Sequence, residues 1–213
     1  MYKAWLFILL VCCVKIGKSE KHVFPETEIQ QLYQKLALAE TVSYQAFQQA
    51  LRGYNRYIPE KPLLVVIDYS RPSTGKRMCV IDLSFKQVLF ESHVAHGRNS
   101  GENYAVSFSN EPGSYKSSLG FFHTAETYYG RNGYSLMLDG LEKGRNDKAR
   151  ERAIVVHGAP YADPGVVRGQ GRLGRSLGCP ALPPAVSKQV IDTIKEGALL
   201  YIYGIDRTIL TDK

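Results

Sequence analysis

The chain has 213 residues, of which 44% are hydrophobic and 22% charged, and a formal net charge of +7. That is enough for one domain with a real core, with room for a small helical appendage, in an ordinary globular composition. Low-complexity and repeat architectures are excluded, and the absence of a dense basic helix or an interleaved aromatic platform argues against nucleic-acid binding.

The N-terminus reads as a targeting segment. Met1-Tyr2-Lys3 is a basic start, and AWLFILLVCCV (Ala4 to Val14) is an apolar run of signal-peptide length, too short to span a bilayer. Gly17 and Ser19 occupy the −3 and −1 positions of a cleavage site. Residues 1–19 are therefore expected to be a signal peptide and the protein to be exported, to the periplasm or cell envelope. Lipid modification at Cys12 or Cys13 fits less well, because Val11 or Cys12 would stand where a small residue is wanted; an uncleaved anchor is the other alternative. Cleavage removes Lys3, Lys15 and Lys18 and no acid, so the charge falls from +7 to 7 − 3 = +4. That excess suits an anionic polymer or peripheral association with the envelope. Cleavage also leaves two cysteines, Cys79 and Cys179.

Residues 20–58 are expected to be a helical segment. Pro25 and Glu26 open a first helix with Ile29, Leu32, Tyr33, Leu36 and Leu38 as its apolar stripe. Ser43 is a plausible N-cap for a second helix carrying Phe47, Leu51 and Tyr54. Pro59 and Pro62 end this part, and residues 59–213 are expected to form the main domain. LLVVIDY (Leu63 to Tyr69), RMCVIDL (Arg77 to Leu83) and QVLFESHVA (Gln87 to Ala95) predict an antiparallel meander. A glycine-, serine- and asparagine-rich stretch follows over 96–122. Further strands are predicted at Arg152 to Gly158 and Ala198 to Gly204, with a helix between them that turns Val186, Val190, Ile191 and Ile194 inward and has Gly197 just past its end. The expected fold is mainly β, a sandwich or barrel, with flanking helices.

The informative stretch is HGAPYADPGVVRGQGRLGRSLGCPALP, from His157 to Pro183. GQGRLG (Gly169 to Gly174) matches a dinucleotide fingerprint only in letters: the preceding strand ends at Gly158, and RSLGCP follows where a helix should open. No nucleotide is expected. Cys179 is a better lead, because a nucleophilic thiol needs access and a neighbouring base. Gly178 lets the backbone bend so that the Gly178 and Cys179 amides face a developing oxyanion, and Pro180 fixes the exit. His157, at the end of an apolar strand, is the candidate base; taken alone it reads first as a capped structural histidine, and the Gly/Arg loop ending in Cys179 turns the reading toward a base.

ERAIVVHGA and GRLGRSLGCPALP together resemble the active-site region of the murein L,D-transpeptidases, the YkuD-type cysteine enzymes, in the variant with an S-x-G-C-P block. VAHGRNSG (94–101), FSNEPGSYKSSLGFF (108–122) and YSLMLDGLEKGRNDKARERA (134–153) extend the resemblance over roughly residues 60–205. It implies an L,D-transpeptidase-like β fold, with Cys179 as nucleophile, His157 as general base, Gly178 as the glycine before the nucleophile, and Ser176 in the family's Ser/Thr position. The second histidine usual between that serine and glycine is Leu177 here, and the interval from His157 to Cys179 is 22 positions, longer than in the main family. The implied chemistry is acyl transfer on peptidoglycan stem peptides through a Cys179 thioester, either 3–3 crosslinking or L,D-carboxypeptidase trimming, with no metal and no cofactor.

Arg168, Arg172 and Arg175 suit a carboxylate-rich substrate, Arg175 best because it is nearest the cysteine. Gly158 and His96 are further substrate-side candidates; His96 and His123 either line the cleft or pack. Ser114, Ser117 and Ser118 with Gly113 look like a pocket-shaping loop, Tyr128 and Tyr129 wall the cleft or pack, and His93 reads as structural. No His/Cys/Asp cluster has zinc spacing. Alternatives are a sortase-like transpeptidase, disfavoured because Arg207 is the only arginine after Cys179, and an inactive cell-wall binding module of the same fold. Cys179 is expected to be a free thiol and Cys79 buried. Oligomeric state is not readable from the sequence.

Overall fold

In the computed structural model, residues 24–208 are described. The expected signal peptide, residues 1–19, lies outside them. Two helices come first, α1 (Glu26–Lys35) and α2 (Tyr44–Tyr57). Ser43 caps α2 by accepting the Ala46 amide at 3.2 Å, and its own amide donates to the buried Asp68 carboxylate at 2.8 Å. Leu38 is not part of the α1 stripe: Ala37 turns left-handed (φ 51°) and Leu38 starts a separate 3-10 turn.

A single eight-stranded sheet follows, built from β1 (Leu63–Asp68), β2 (Met78–Asp82), β3 (Gln87–Ser92), β4 (Gly120–Gly130), β5 (Gly133–Gly140), β6 (Val155–Gly158), β7 (Ala181–Leu182) and β8 (Leu199–Tyr203). The order is β3-β2-β1-β8-β4-β5-β6-β7. The meander is present as expected, but β3 stops at Ser92 and the chain turns across to the opposite edge. There Ala95 and Ala181 exchange hydrogen bonds of 2.8 and 3.2 Å, so the sheet is nearly closed into a barrel. A mainly β barrel with flanking helices is the observed class.

Both faces are buried, which explains why β1 reads as an unbroken apolar run rather than an alternating one. Val65, Ile67, Val80, Leu136, Leu138 and Leu200 pack inward against Val190, Ile191 and Ile194 of α4 (Pro184–Ile194). Leu64, Val66, Cys79, Ile81, Leu199 and Tyr201 pack outward against Leu32, Phe47 and Leu51 of α1 and α2.

Three features depart from the expectation. The β4–β5 hairpin goes unpredicted, because its outer half (Glu126 to Gly130) leaves the core and carries no apolar alternation to read. A short helix, α3 (Gly165–Gln170), occupies part of the expected loop and ends within GQGRLG instead of opening there, with Gly169 in its last turn and Gly171 as its left-handed cap. The left-handed residue after α4 is Glu196 (φ 55°), with Gly197 (φ 114°) behind it. Among the described residues no helix is long and apolar enough to cross a membrane.

Candidate active site

The strand expected from Arg152 begins only at Val155. Ala153 adopts a left-handed φ of 51°, which breaks the extended run and aims its carbonyl sideways. The result is a four-residue β6 that ends with His157 and Gly158. His157 is 4% exposed and pairs in register with Ala181 of β7, two residues beyond Cys179. Its Nδ1–H donates to the Gly158 carbonyl at 3.0 Å, so Nε2 is the nitrogen left to accept a proton. Burial lowers the imidazole pKa, opposed in part by that hydrogen bond, so the ring is neutral near pH 7. Gly158 is needed for space: a side chain there would strike Ser187 of α4.

Cys179 is 8% exposed and unbridged, as is Cys79, which is fully buried. The Cys179 thiol donates to the Ala153 carbonyl at 3.6 Å, and no hydrogen bond joins it to His157. Burial raises its pKa; the amides of Val155 and Cys179 itself and the Arg152 guanidinium oppose that. Thiol and imidazole are thus both neutral.

Side-chain ties shape the cysteine loop. The Ser176 hydroxyl donates to the Cys179 carbonyl at 2.6 Å and accepts the Gly178 amide at 3.1 Å. Ser117 donates to the Gly178 carbonyl at 3.0 Å and accepts the Gly97 amide at 3.0 Å. Gly178 has φ 130°, and a Cβ there would lie 2.9 Å from the Lys116 carbonyl. No residue with a side chain fits in that conformation.

Residues 38–203 match the description of the L,D-transpeptidase catalytic domain. The chain belongs to that family. It is similar to an L,D-transpeptidase solved in complex with imipenem (17% identity, TM-score 0.43, covering 67% of this chain and 59% of that one). It is also similar to an L,D-transpeptidase from Mycobacterium smegmatis (15%, TM-score 0.43, 67% and 59%) and to one from Xylanimonas cellulosilytica (16%, TM-score 0.38, 74% and 69%). The chain thus spans 59% of the length of the first two. No curated protein matches it.

In this L,D-transpeptidase-family domain the expected site residues fall into three groups. Cys179, His157, Gly158, Gly178 and Ser176 come together. The Gly178 amide, expected to face an oxyanion, is held by Ser176, and the Ser176 hydroxyl is occupied within the loop rather than free for substrate. Arg175 and Arg172 converge on one carboxylate, that of Glu102, at 2.6 and 2.8 Å; Arg168 is exposed on α3. His96 is 1% exposed with both nitrogens engaged, Nδ1 by Arg77 at 2.8 Å and Nε2–H by the Gly101 carbonyl at 3.2 Å, and offers substrate no free nitrogen. Desolvation, with Arg77 beside it, draws its pKa down to about 3.

His123 pairs with Glu60 at 3.1 Å, and His93 binds the Thr74 carbonyl at 3.1 Å. Tyr128 lies on the same row of the sheet as His157, with Ser135 between them, and Tyr129 is 79% exposed. The residue that sequence reasoning missed is Arg152. Its guanidinium donates to the Ser109 and Lys116 carbonyls, both at 2.7 Å, and to the hydroxyls of Ser118 and Ser114, tying together the two arms of the folded-back 109–118 loop next to Gly178. Nothing in ERAIVV marks it, because its partners lie some 34 to 43 residues away. Among the described residues no group of three His, Cys, Asp or Glu side chains could hold a metal ion.

Proposed function

We propose that the chain is an exported cysteine acyltransferase acting on peptidoglycan stem peptides. The observation that carries this reading is a free Cys179 on the glycine-backed loop entering β7, set against a His157 whose open nitrogen is Nε2, inside a segment that matches the family. In the first step the Cys179 thiol leaves the Ala153 carbonyl and passes its proton to His157 Nε2. The thiolate attacks the carbonyl of the third stem residue, and as the tetrahedral intermediate collapses the imidazolium returns the proton to the leaving D-alanine amine. A thioester on Cys179 remains. An amine of a second stem then attacks it to give a 3–3 crosslink, or water attacks it to give a trimmed tripeptide; either nucleophile delivers its proton to His157, and the thiol is restored.

The charge of +4 after signal cleavage fits an anionic wall polymer, and the apolar run at Ala4 to Val14 supports export. Intact-mass measurement after incubation with a carbapenem and, separately, with purified muropeptides tests the reading. The expected result is a covalent adduct on Cys179 and conversion of tetrapeptides, both lost in Cys179→Ser. Unmodified protein and unchanged tetrapeptides from pH 5 to 9 would support the binding-module alternative instead.

A further inference from the structure

Two of the three arginines expected to meet substrate carboxylates are already matched inside the molecule, and the third, Arg168, is exposed on α3 away from the cysteine loop's own residues. Glu102 holds Arg172 and Arg175, and Arg152 is surrounded by oxygens of the 109–118 segment. Arg98 differs. It is exposed, and among the described residues it has no acidic partner. Its guanidinium carbon sits 4.2 Å from the centre of the Tyr115 ring.

The backbone fixes this pair at the loop that carries the nucleophile. The Arg98 amide donates to the Ser176 carbonyl at 2.8 Å, three residues before Cys179, and Gly97 bridges Ser176. A Cβ at Gly97 would lie 3.0 Å from the Gly178 Cα and 2.6 Å from the Tyr115 carbonyl, so three backbones meet at the cysteine loop. Tyr115 is held in a left-handed conformation (φ 55°) while its carbonyl accepts the Asn99 amide at 3.1 Å. Leu177, 59% exposed, stands between Ser176 and Gly178 in the same loop.

We propose that Arg98, stacked on Tyr115 beside Leu177, is the residue that recognises a carboxylate of the peptide delivered to Cys179. A guanidinium lying face-on to an aromatic ring keeps its in-plane N–H groups free for a bidentate carboxylate. The stack also limits the rotamers open to a long exposed side chain, which lowers the ordering cost of binding. Leu177, where the family usually has a histidine, supplies an apolar neighbour that shields such a pair from water. This assignment rests on the acyl-transfer reading and names the part of the substrate that the rim would read.

The test does not need turnover. Alkylation of Cys179 in the full chain is followed by peptide mapping with iodoacetate, an anion, and iodoacetamide, its neutral counterpart. Arg98→Gln is expected to slow iodoacetate relative to iodoacetamide by about fivefold, the scale of one charge-assisted contact near a surface. Arg131→Gln, the same charge change on the remote β4–β5 turn, is expected to leave the ratio within about 1.5-fold at physiological salt. An unchanged ratio in Arg98→Gln overturns the assignment whether or not muropeptides are turned over.

Given turnover, Arg98→Gln should raise KM for the tetrapeptide more than it lowers kcat. That penalty should vanish for an analogue amidated at the carboxylate Arg98 reads, at the C-terminus or on the third side chain. A penalty that survives both amidations overturns the proposal. Arg98→Lys guards against misfolding: it should keep the iodoacetate preference and lose peptide affinity, and a wild-type KM in that variant rules out bidentate recognition.

Discussion

Cys179 and His157 start uncharged, and burial is the first cause for both: it pushes the thiol up and the imidazole down. Under the proposed acyl-transfer function, such a pair would work by general-base transfer at the moment of attack, not as a standing thiolate–imidazolium pair. Two consequences follow for pH. Alkylation of Cys179 by iodoacetamide should rise with a midpoint above the ordinary thiol value of about 8.5, while Cys79 stays unmodified. Acylation by a peptide should persist to mildly acidic pH, since protonation removes the base only as pH falls through an imidazole pKa below the usual value of about 6.5. Rates of Cys179 modification measured by mass across pH 5–10 check both, and an alkylation midpoint below pH 7 would establish a preformed ion pair instead.

At this scale the sequence was a good guide to residue types and a poor guide to partners. His157 and Cys179 were legible because a strand end and a Gly-Cys-Pro turn are local signals. A backbone carbonyl at Gly158 as the group orienting His157 lay within the same local reading; the engagement of Arg172 and Arg175 by Glu102 and the part of Arg152 did not, because each depends on groups far apart in the chain.

Elements are set by space as much as by propensity. Gly53 sits inside α2, where glycine ordinarily costs about 1 kcal/mol relative to alanine. Propensity alone therefore says that Gly53→Ala stabilises. The structure says the reverse, since a Cβ there would overlap the Phe121 ring, which is itself stacked on Tyr201 at 4.2 Å. Gly53→Ala is expected to destabilise by about 1–3 kcal/mol, as overpacking of a close contact does. Urea unfolding measures it, and a raised midpoint would show that α2 can move away from β4. The same limit applies to the β4–β5 hairpin: where a strand leaves the core, its residues obey solvent rather than alternation, and the pattern that announces a strand disappears.

In the whole molecule, the N-terminal helices do not stand apart from the catalytic sheet. α1 and α2 close the outer core over Leu64, Val66, Ile81 and Tyr201, and Phe47 of α2 is fully buried there. A chain beginning at residue 58 should therefore expose that sheet face and be recovered mainly as aggregate. Phe47→Ala should cost about 3–5 kcal/mol, the range for truncating a fully buried aromatic side chain. Light scattering of the shortened protein and urea unfolding of Phe47→Ala test this; a soluble, monomeric chain from residue 58 would make the helices dispensable. β1 and β8 run parallel at the centre of the sheet, joining strands predicted from opposite ends of the chain.

The sequence by itself determined the periodic elements and singled out Cys179 and His157 as the candidate pair, because hydrophobic pattern, caps and turn residues act between near neighbours. Helices α1, α2 and α4, the meander β1–β3 and the strands carrying His157 and Tyr201 all follow from such signals. The tertiary structure alone decided that Arg98 lies outward over Tyr115 while Arg172 and Arg175 meet Glu102, where the thiol rests, and how the sheet closes through Ala95 and Ala181. Those depend on which distant carboxylate, carbonyl or backbone edge arrives first at each group, and that is fixed only when the two cores pack.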